Sequence, residues 1–252
     1  MESEDEAKEF EIRREKSRAE FIASVGHDLK TYLNPIVGFT SVLLQDDEIL
    51  DSEQRNQLEL IAESARRLLH RLDAFVEFQR IQAGTIKAVR DWFSPHALLS
   101  ELAVSHADRA RARKTELRHA KDAPPLRIMS DYRLVMLVLD ELLANAIKAA
   151  GQGVVSLDAN HEAADGEGVV KVEFRVQDSG AGLDPDDLAR LRKSLAEPGG
   201  TKAASWQGLG LGLALSREVA RELGATIEVK SIPGVGSTFK LILKFDPKDV
   251  EA

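Results

Sequence analysis

The sequence predicts an α+β chain: a dimeric antiparallel helical hairpin, a four-helix bundle in the dimer, followed by a two-layer α/β sandwich. Two observations carry the hairpin. Apolar residues recur at alternating steps of three and four through Ile22, Val25, Leu29, Tyr32, Ile36, Phe39 and Leu43, and again through Leu58, Ile61, Ala65, Leu68, Leu72 and Phe75. A third observation carries the sandwich. After Gly84 the long periodic runs give way to short strand-like runs alternating with helical segments. The predicted domains are residues 1–88 and 89–252.

The first helix is expected over about residues 7–45, a stretch with one proline and no glycine cluster. Asp46, Asp47 and Glu48, with Asp51 and Ser52, break the pattern, and Ser52-Glu53-Gln54 suits a new helix start. The second helix runs to Ala83-Gly84, where the glycine is a plausible C-cap. A lone hairpin covers its own seam poorly. Pairing two copies solves this, and so does packing a monomeric seam on the rest of the chain; heptads alone do not choose. Farther on, strands are predicted at residues 116–118, 154–157, 169–176, 226–230 and 237–245, with a hairpin tip at 163–168. Helices are predicted at about 95–113, 131–150, 185–195 and 209–223.

Composition narrows the function. The 252 residues carry a net charge of -8, which argues against a nucleic-acid binder. With no cysteine, disulfides and thiolate metal sites are excluded. The opening residues are acidic and lack the apolar core of a signal peptide, and no apolar run is long enough to span a bilayer. The expectation is a cytoplasmic chain without membrane contact.

One histidine stands out. With Ile22 at heptad position a, His27 falls at f, pointing away from the seam into solvent. Neutral imidazole is a competent nucleophile near physiological pH. Asp28 is placed to accept a hydrogen bond from Nδ1–H, leaving Nε2 free, and Thr31 lies one turn on, on the same face. An exposed surface pair is the plainer reading of His27 and Asp28 alone. His70, His96, His106, His119 and His161 have no comparable setting.

Three glycine segments follow. Gln177-Asp178-Ser179-Gly180-Ala181-Gly182-Leu183 succeeds the strongest strand, and Asp178 there can accept from an exocyclic amine such as that of adenine. Gly208-Leu209-Gly210-Leu211-Gly212 opens a helix, where bare N–H groups make a phosphate cradle. Pro233-Gly234-Val235-Gly236-Ser237-Thr238 turns into the last strand, either as a plain hairpin or as part of the site. Earlier, Glu141, Asn145 and Lys148 share a helix stripe suited to Mg²⁺ and phosphate, although a polar helix face explains them equally.

Taken in order, His27-Asp28-Leu29-Lys30-Thr31, Asn145-Ala146-Ile147-Lys148, Asp178-Ser179-Gly180-Ala181-Gly182 and Gly208-Leu209-Gly210-Leu211-Gly212 resemble the motifs of sensor histidine kinases of two-component signalling. The resemblance spans roughly residues 15–245. It implies a dimerising phosphoacceptor hairpin and a Bergerat-type ATP-binding domain. It implies an enzyme that uses ATP to phosphorylate His27, assisted by Asp28, and passes the group to an aspartate of a response-regulator receiver domain. Thr31 matches the position that assists dephosphorylation of that partner. By the same resemblance Glu141 and Asn145 serve Mg²⁺. Asn145, Lys148, Asp178, Gly180, Gly182, Gly208, Gly210, Gly212 and Thr238 form the ATP site, and a homodimer is implied. Three departures are visible. Tyr32 stands where the family usually has proline, with Pro35 three residues later. Glu141 replaces a common asparagine. Residues 191–207 lack the usual aromatic motif, Trp206 being the nearest substitute. They motivate an alternative, a non-catalytic or phosphatase-biased phosphotransfer adaptor. A third reading, an ATP-driven clamp, accounts for Glu141 but not for the hairpin.

Overall fold

In the computed structural model, residues 2–45, 50–84, 89–119, 126–164, 168–196 and 210–251 are described. They fall into two compact units, Met1–Lys87 and Ala88–Ala252.

The first unit is built from helices α1 (Glu2–Leu43) and α2 (Ser52–Gln82), packed on each other. Asp51 starts α2: its carboxylate accepts from the Gln54 N–H at 2.8 Å, and the Gln54 side chain accepts from the Asp51 N–H at 3.2 Å. This reciprocal cap places the N-cap one residue before Ser52. Gly84 follows α2 with a left-handed φ of 61°. The break expected at Asp46, Asp47 and Glu48 lies outside the described residues.

The two helices meet through small side chains. Ala19, Gly26, Thr40, Ala62, Ala65 and Val76 are buried. Gly26 is the tightest point, since a Cβ there would collide with Val76. Lys30, one turn on, forms an ion pair with Asp73 of α2. The large apolar residues of the predicted seam behave otherwise. Val25, Leu29, Ile36 and Leu43 are only partly covered, and Tyr32 and Phe39 are 73% and 71% exposed. Small residues allow close approach within the hairpin, while the broad apolar stripe stays uncovered.

The second unit holds two sheets. A five-stranded sheet runs in the order β2 (Glu116–His119), β4 (Val154–Ala164), β5 (Val169–Asp178), β7 (Gly236–Phe245), β6 (Thr226–Ile232). Only the β2–β4 pair is parallel. A small antiparallel sheet orders β1 (Asp91–Phe93), β3 (Arg127–Ser130) and β8 (Val250–Glu251). The helices are α3 (Pro95–Ala112), α4 (Tyr132–Ala150), α5 (Pro185–Ala196) and α6 (Gly210–Glu222). Alternation along β5 decides the layering. Val172, Phe174, Val176 and Asp178 are buried, while Lys171, Glu173 and Arg175 between them are half-buried. Helices α3, α4 and α6 pack on the buried face, with Leu98, Leu102, Leu139, Leu142, Ile147 and Leu215 filling the core. Of the hairpin tip predicted at 163–168, residues 165–167 lie outside the described residues, while Ala163 and Ala164 pair with Val170 and Val169 as the end of β4.

The other face of the sheet carries an ionic ladder. Glu173 on β5 meets Lys240 of β7 at 2.8 Å and Arg175 at 3.1 Å, and Arg175 reaches Asp158 of β4 at 3.8 Å. Burial pushes the Glu173 carboxyl up, but the hydrogen bonds and charges of Lys240 and Arg175 outweigh it and hold the group below its usual range. A depressed folded value means the stabilisation is complete above the unfolded pKa, about 4.3, and is lost as pH falls through the lower folded value. Glu173→Gln is expected to destabilise the chain by about 1–2 kcal/mol at neutral pH. Urea melts at pH 7 and pH 3 check this: the deficit should be clear at the first and shrink at the second.

Candidate functional site

His27 occupies α1 two turns before Pro35, and its side chain is 82% exposed. Burial of Gly26 against Val76 and the Lys30–Asp73 pair fix the adjoining face of α1 on α2, so His27 projects from the free side. Asp28 is also exposed. Its Oδ1 lies 3.7 Å from His27 Nδ1, an ion-pair distance that exceeds a hydrogen bond. The hydrogen bond expected from sequence is therefore not formed in this rotamer; both side chains are free in solvent and nothing packs them together. The Thr31 hydroxyl donates to the His27 carbonyl at 3.1 Å, which leaves its oxygen lone pairs to accept.

The second candidate site is organised by α4. Asp131 caps this helix, accepting from the Arg133 and Leu134 N–H groups at 3.0 and 3.2 Å. Glu141 is buried, Asn145 half-buried and Lys148 exposed near the helix end. The same stripe therefore grades from interior to solvent.

Two glycine segments close on α4 from different directions. Asp178, at the end of β5, is 4% exposed and accepts from the Gly180 N–H at 2.8 Å. Burial pushes its carboxyl up, and backbone N–H groups of Gly180 and Ser237 offset part of that. Gly180 itself lies against the Ala149 carbonyl at the end of α4, and any Cβ there would collide with that backbone oxygen. Gly212, in the first turn of α6, lies against the Glu141 carboxylate, which a Cβ would also strike. A carboxylate at a helix N-terminus is favourably placed. The wall between Asp178 and the start of α6 thus consists of α4 residues flanked by bare backbone.

The third glycine segment is both a hairpin turn and part of this wall. Ile232 pairs with Gly236 across the β6–β7 turn. The Gly234 N–H donates to the Ala181 carbonyl at 2.7 Å, and the Leu183 N–H donates to Ser231 Oγ at 2.8 Å. Gly182 (φ 69°) abuts the Ile232 carbonyl, and Gly236 (φ 132°) abuts the Asp178 carbonyl, so neither position accepts a side chain. Thr238 lies in β7 opposite Gln177 of β5, one residue beyond the Ser237–Asp178 pair. Gly208 and Trp206 lie outside the described residues.

Sequence reasoning missed Ser231, Ser237 and Ser179. Ser179 Oγ accepts from the Val154 N–H at 2.8 Å, locking the loop onto β4. The only signal for them was serine beside each glycine segment. Among the described residues, no three His, Asp or Glu groups come together to hold a metal. Glu141 and Asn145 offer one carboxylate and one amide, a set that fits Mg²⁺ only when phosphate oxygens and water complete the shell. Among the described residues, no helix is long and apolar enough to cross a membrane.

Two family profiles match. The His Kinase A (phospho-acceptor) domain matches residues 17–84, and the histidine kinase-, DNA gyrase B-, and HSP90-like ATPase matches residues 130–247. The sensor protein GacS of Pseudomonas syringae pv. syringae is 31% identical over 242 residues, covering 95% of this chain and 26% of the relative. The sensor protein TorS of Escherichia coli K12 is 31% identical over 251 residues, covering 94% of this chain and 26% of the relative. The chain thus spans about a quarter of the length of these relatives. The crystal structure of full-length ShkA in complex with AMPPNP shares 27% identity and a TM-score of 0.62, covering 89% of this chain and 45% of that one. A phospho-acceptor hairpin at 17–84 and an ATPase fold at 130–247, in that order on one chain, place this protein in the sensor histidine kinase family of two-component signalling.

Proposed function

We propose that this chain uses ATP to phosphorylate its own His27 and then passes the phosphoryl group to an aspartate of a response-regulator receiver domain. The observation that carries the reading is that one chain holds an outward-facing imidazole on a helical hairpin and, in its other unit, glycines packed closely against α4.

His27 Nε2 supplies the lone pair that forms a nitrogen–phosphorus bond as the bond from the γ-phosphorus to the β,γ-bridging oxygen breaks and ADP departs. The proton lost from the ring has Asp28 as its nearest acceptor, one side-chain rotation from hydrogen-bonding distance. Asp178 accepts from the adenine amine; its burial excludes competing water. Bare N–H groups at the start of α6, around Gly210 and Gly212, face the phosphates. Lys148, at the solvent end of the α4 stripe, offsets phosphate charge. Gly180 and Gly182 let the backbone approach the base, Thr238 lines the wall from β7, and Gly208, outside the described residues, is assigned to the phosphates by its motif alone. Glu141 and Asn145 would hold Mg²⁺ with phosphate oxygens completing its shell, and the ion would supply charge neutralisation. In the second reaction a receiver carboxylate oxygen attacks phosphorus and the bond to His27 breaks. Thr31 presents an acceptor oxygen one turn away, suited to hold the water that later hydrolyses the regulator's acyl phosphate.

The uncovered stripe of Val25, Leu29, Tyr32, Ile36 and Phe39 supports a homodimer in which a second hairpin completes a four-helix bundle. Sedimentation of the chain is expected to give a dimer, and Ile36→Asp with Phe39→Asp a monomer.

Incubation with γ-labelled ATP and Mg²⁺ tests the activity. The expected adduct is labile to acid and stable to alkali, as a phosphoramidate must be. An acid-stable adduct would point to a hydroxyl ester and defeat the assignment.

A further inference from the structure

One buried carboxylate outside the nucleotide wall joins two parts of the ATPase unit. Asp131 is 1% exposed. Its Oδ1 caps α4 through the Arg133 and Leu134 N–H groups. Its Oδ2 accepts from the Val89 N–H at 2.8 Å and from the Arg133 guanidinium at 3.1 Å. These bonds hold the Asp131 carboxyl below its usual range against the opposing effect of burial. Val89 stands at the start of the unit, just past the stretch that follows the phospho-acceptor hairpin in sequence. Its own side chain is 64% exposed, so burial does not hold it there; its N–H does. Arg90 continues the fastening, donating to the Met129 carbonyl at 3.1 and 3.2 Å and to Asp249 at 2.7 Å.

The two oxygens of a carboxylate turn together. A pull on residue 89 that rotates Oδ2 also swings Oδ1 away from the first turn of α4. That helix is nearly all core on its inner side, with Leu134, Val138, Leu142 and Ile147 buried, so it answers as one body along its length. Its far half carries Glu141, Asn145 and Lys148.

We propose that Asp131 is a positioning residue that couples the segment entering the ATPase unit to α4, and through α4 to the nucleotide site. The proposal rests on the nucleotide reading of α4 given above. Movement at residue 89 then changes nucleotide affinity, and nucleotide binding tightens residue 89, because such coupling is reciprocal.

Amide hydrogen exchange in the full chain tests it, with and without a non-hydrolysable ATP analogue and Mg²⁺. Val89 N–H is expected to exchange about fivefold or more slowly with the analogue bound. Two variants break the link differently. Val89→Pro removes the donor and leaves Asp131 intact. Asp131→Asn keeps a good N-cap oxygen for α4 and, with that oxygen so engaged, turns an amide N–H₂ toward the Val89 N–H. Both are expected to raise KM for ATP about fivefold, beyond any loss of thermal midpoint from the broken Val89 bond. A purely structural fastening would lower the midpoint of both variants and leave their KM for ATP at the wild-type value. Calorimetric binding of the analogue without any change at Val89, and with wild-type KM in both variants, overturns the coupling. No analogue binding at all overturns the nucleotide reading, and the coupling with it.

Discussion

His27→Ala is expected to abolish incorporation of the γ-phosphate while leaving ATP affinity within about twofold of wild type. The separation of the two effects follows from where the residue sits. His27 is on the hairpin, in the unit ending at Lys87, and the residues proposed for nucleotide binding all follow Ala88. Independent sites contribute additively, so removing the imidazole costs the chemistry and not the binding. The side chain is 82% exposed and packs on nothing, so its truncation opens no cavity and the hairpin keeps its stability. The loss of label should reach at least about a thousandfold, because no other group replaces a removed nucleophile. Filter binding of labelled ATP beside the labelling assay makes the comparison. Residual labelling near the wild-type rate would move the nucleophile elsewhere.

The second large effect is expected at Gly180. A methyl group there meets the Ala149 carbonyl, a backbone atom at the end of a buried helix, and the Asp178 carboxylate at 2.8 Å. Neither can turn aside without moving α4 or the loop that holds Asp178. Gly180→Ala should therefore weaken ATP binding at least about tenfold, since a misplacement of about 1 Å in such a wall is costly. Gly212→Ala is the instructive contrast. Its methyl also collides, but with the tip of the Glu141 side chain rather than with backbone. Its expected loss is about threefold or less in affinity, within the range of a small repacking. Titration calorimetry on both variants measures the difference; equal losses would mean that Glu141 is held as firmly as backbone.

Much of this architecture was legible in the residues themselves, for reasons that differ by element. Among the described residues, the five strands of the large sheet and the six α-helices announce themselves through periodicity, capping residues and glycine stops, although β4 runs on to Ala164, past the predicted end at Leu157. Strands β1, β3 and β8 do not, because two to four residues are too few to show alternation, and their pairing is with distant parts of the chain. The hairpin interface was harder to see. Heptad counting selects mostly large apolar side chains, and of the small buried residues between α1 and α2 it includes Ala65 but passes over Ala19, Gly26 and Ala62, where smallness sets the approach. Of the large residues that counting selected, Val25, Leu29, Tyr32, Ile36 and Phe39 stay exposed while Ile22, Leu58, Leu72 and Phe75 are half-buried, and the exposed set is what supports a second copy. Within the nucleotide wall, Asp178, Gly180 and Gly182 follow from their motif. The buttress from Ser231, Gly234 and Gly236 does not, since it depends on how two hairpin ends meet. Asp28 shows the opposite limit. Adjacency in sequence suggests a bond to His27, but two freely rotating surface side chains settle 3.7 Å apart.

Mass spectrometry of the chain after incubation with Mg²⁺ and ATP, under neutral conditions that preserve phosphoramidates, tests the central claim most directly. One phosphoryl group on the peptide that contains His27, reduced about tenfold or more when Gly180→Ala replaces wild type at limiting ATP, is the predicted result. A phosphoryl group carried by any other residue, or an unmodified His27 in a chain saturated with ATP, would contradict it.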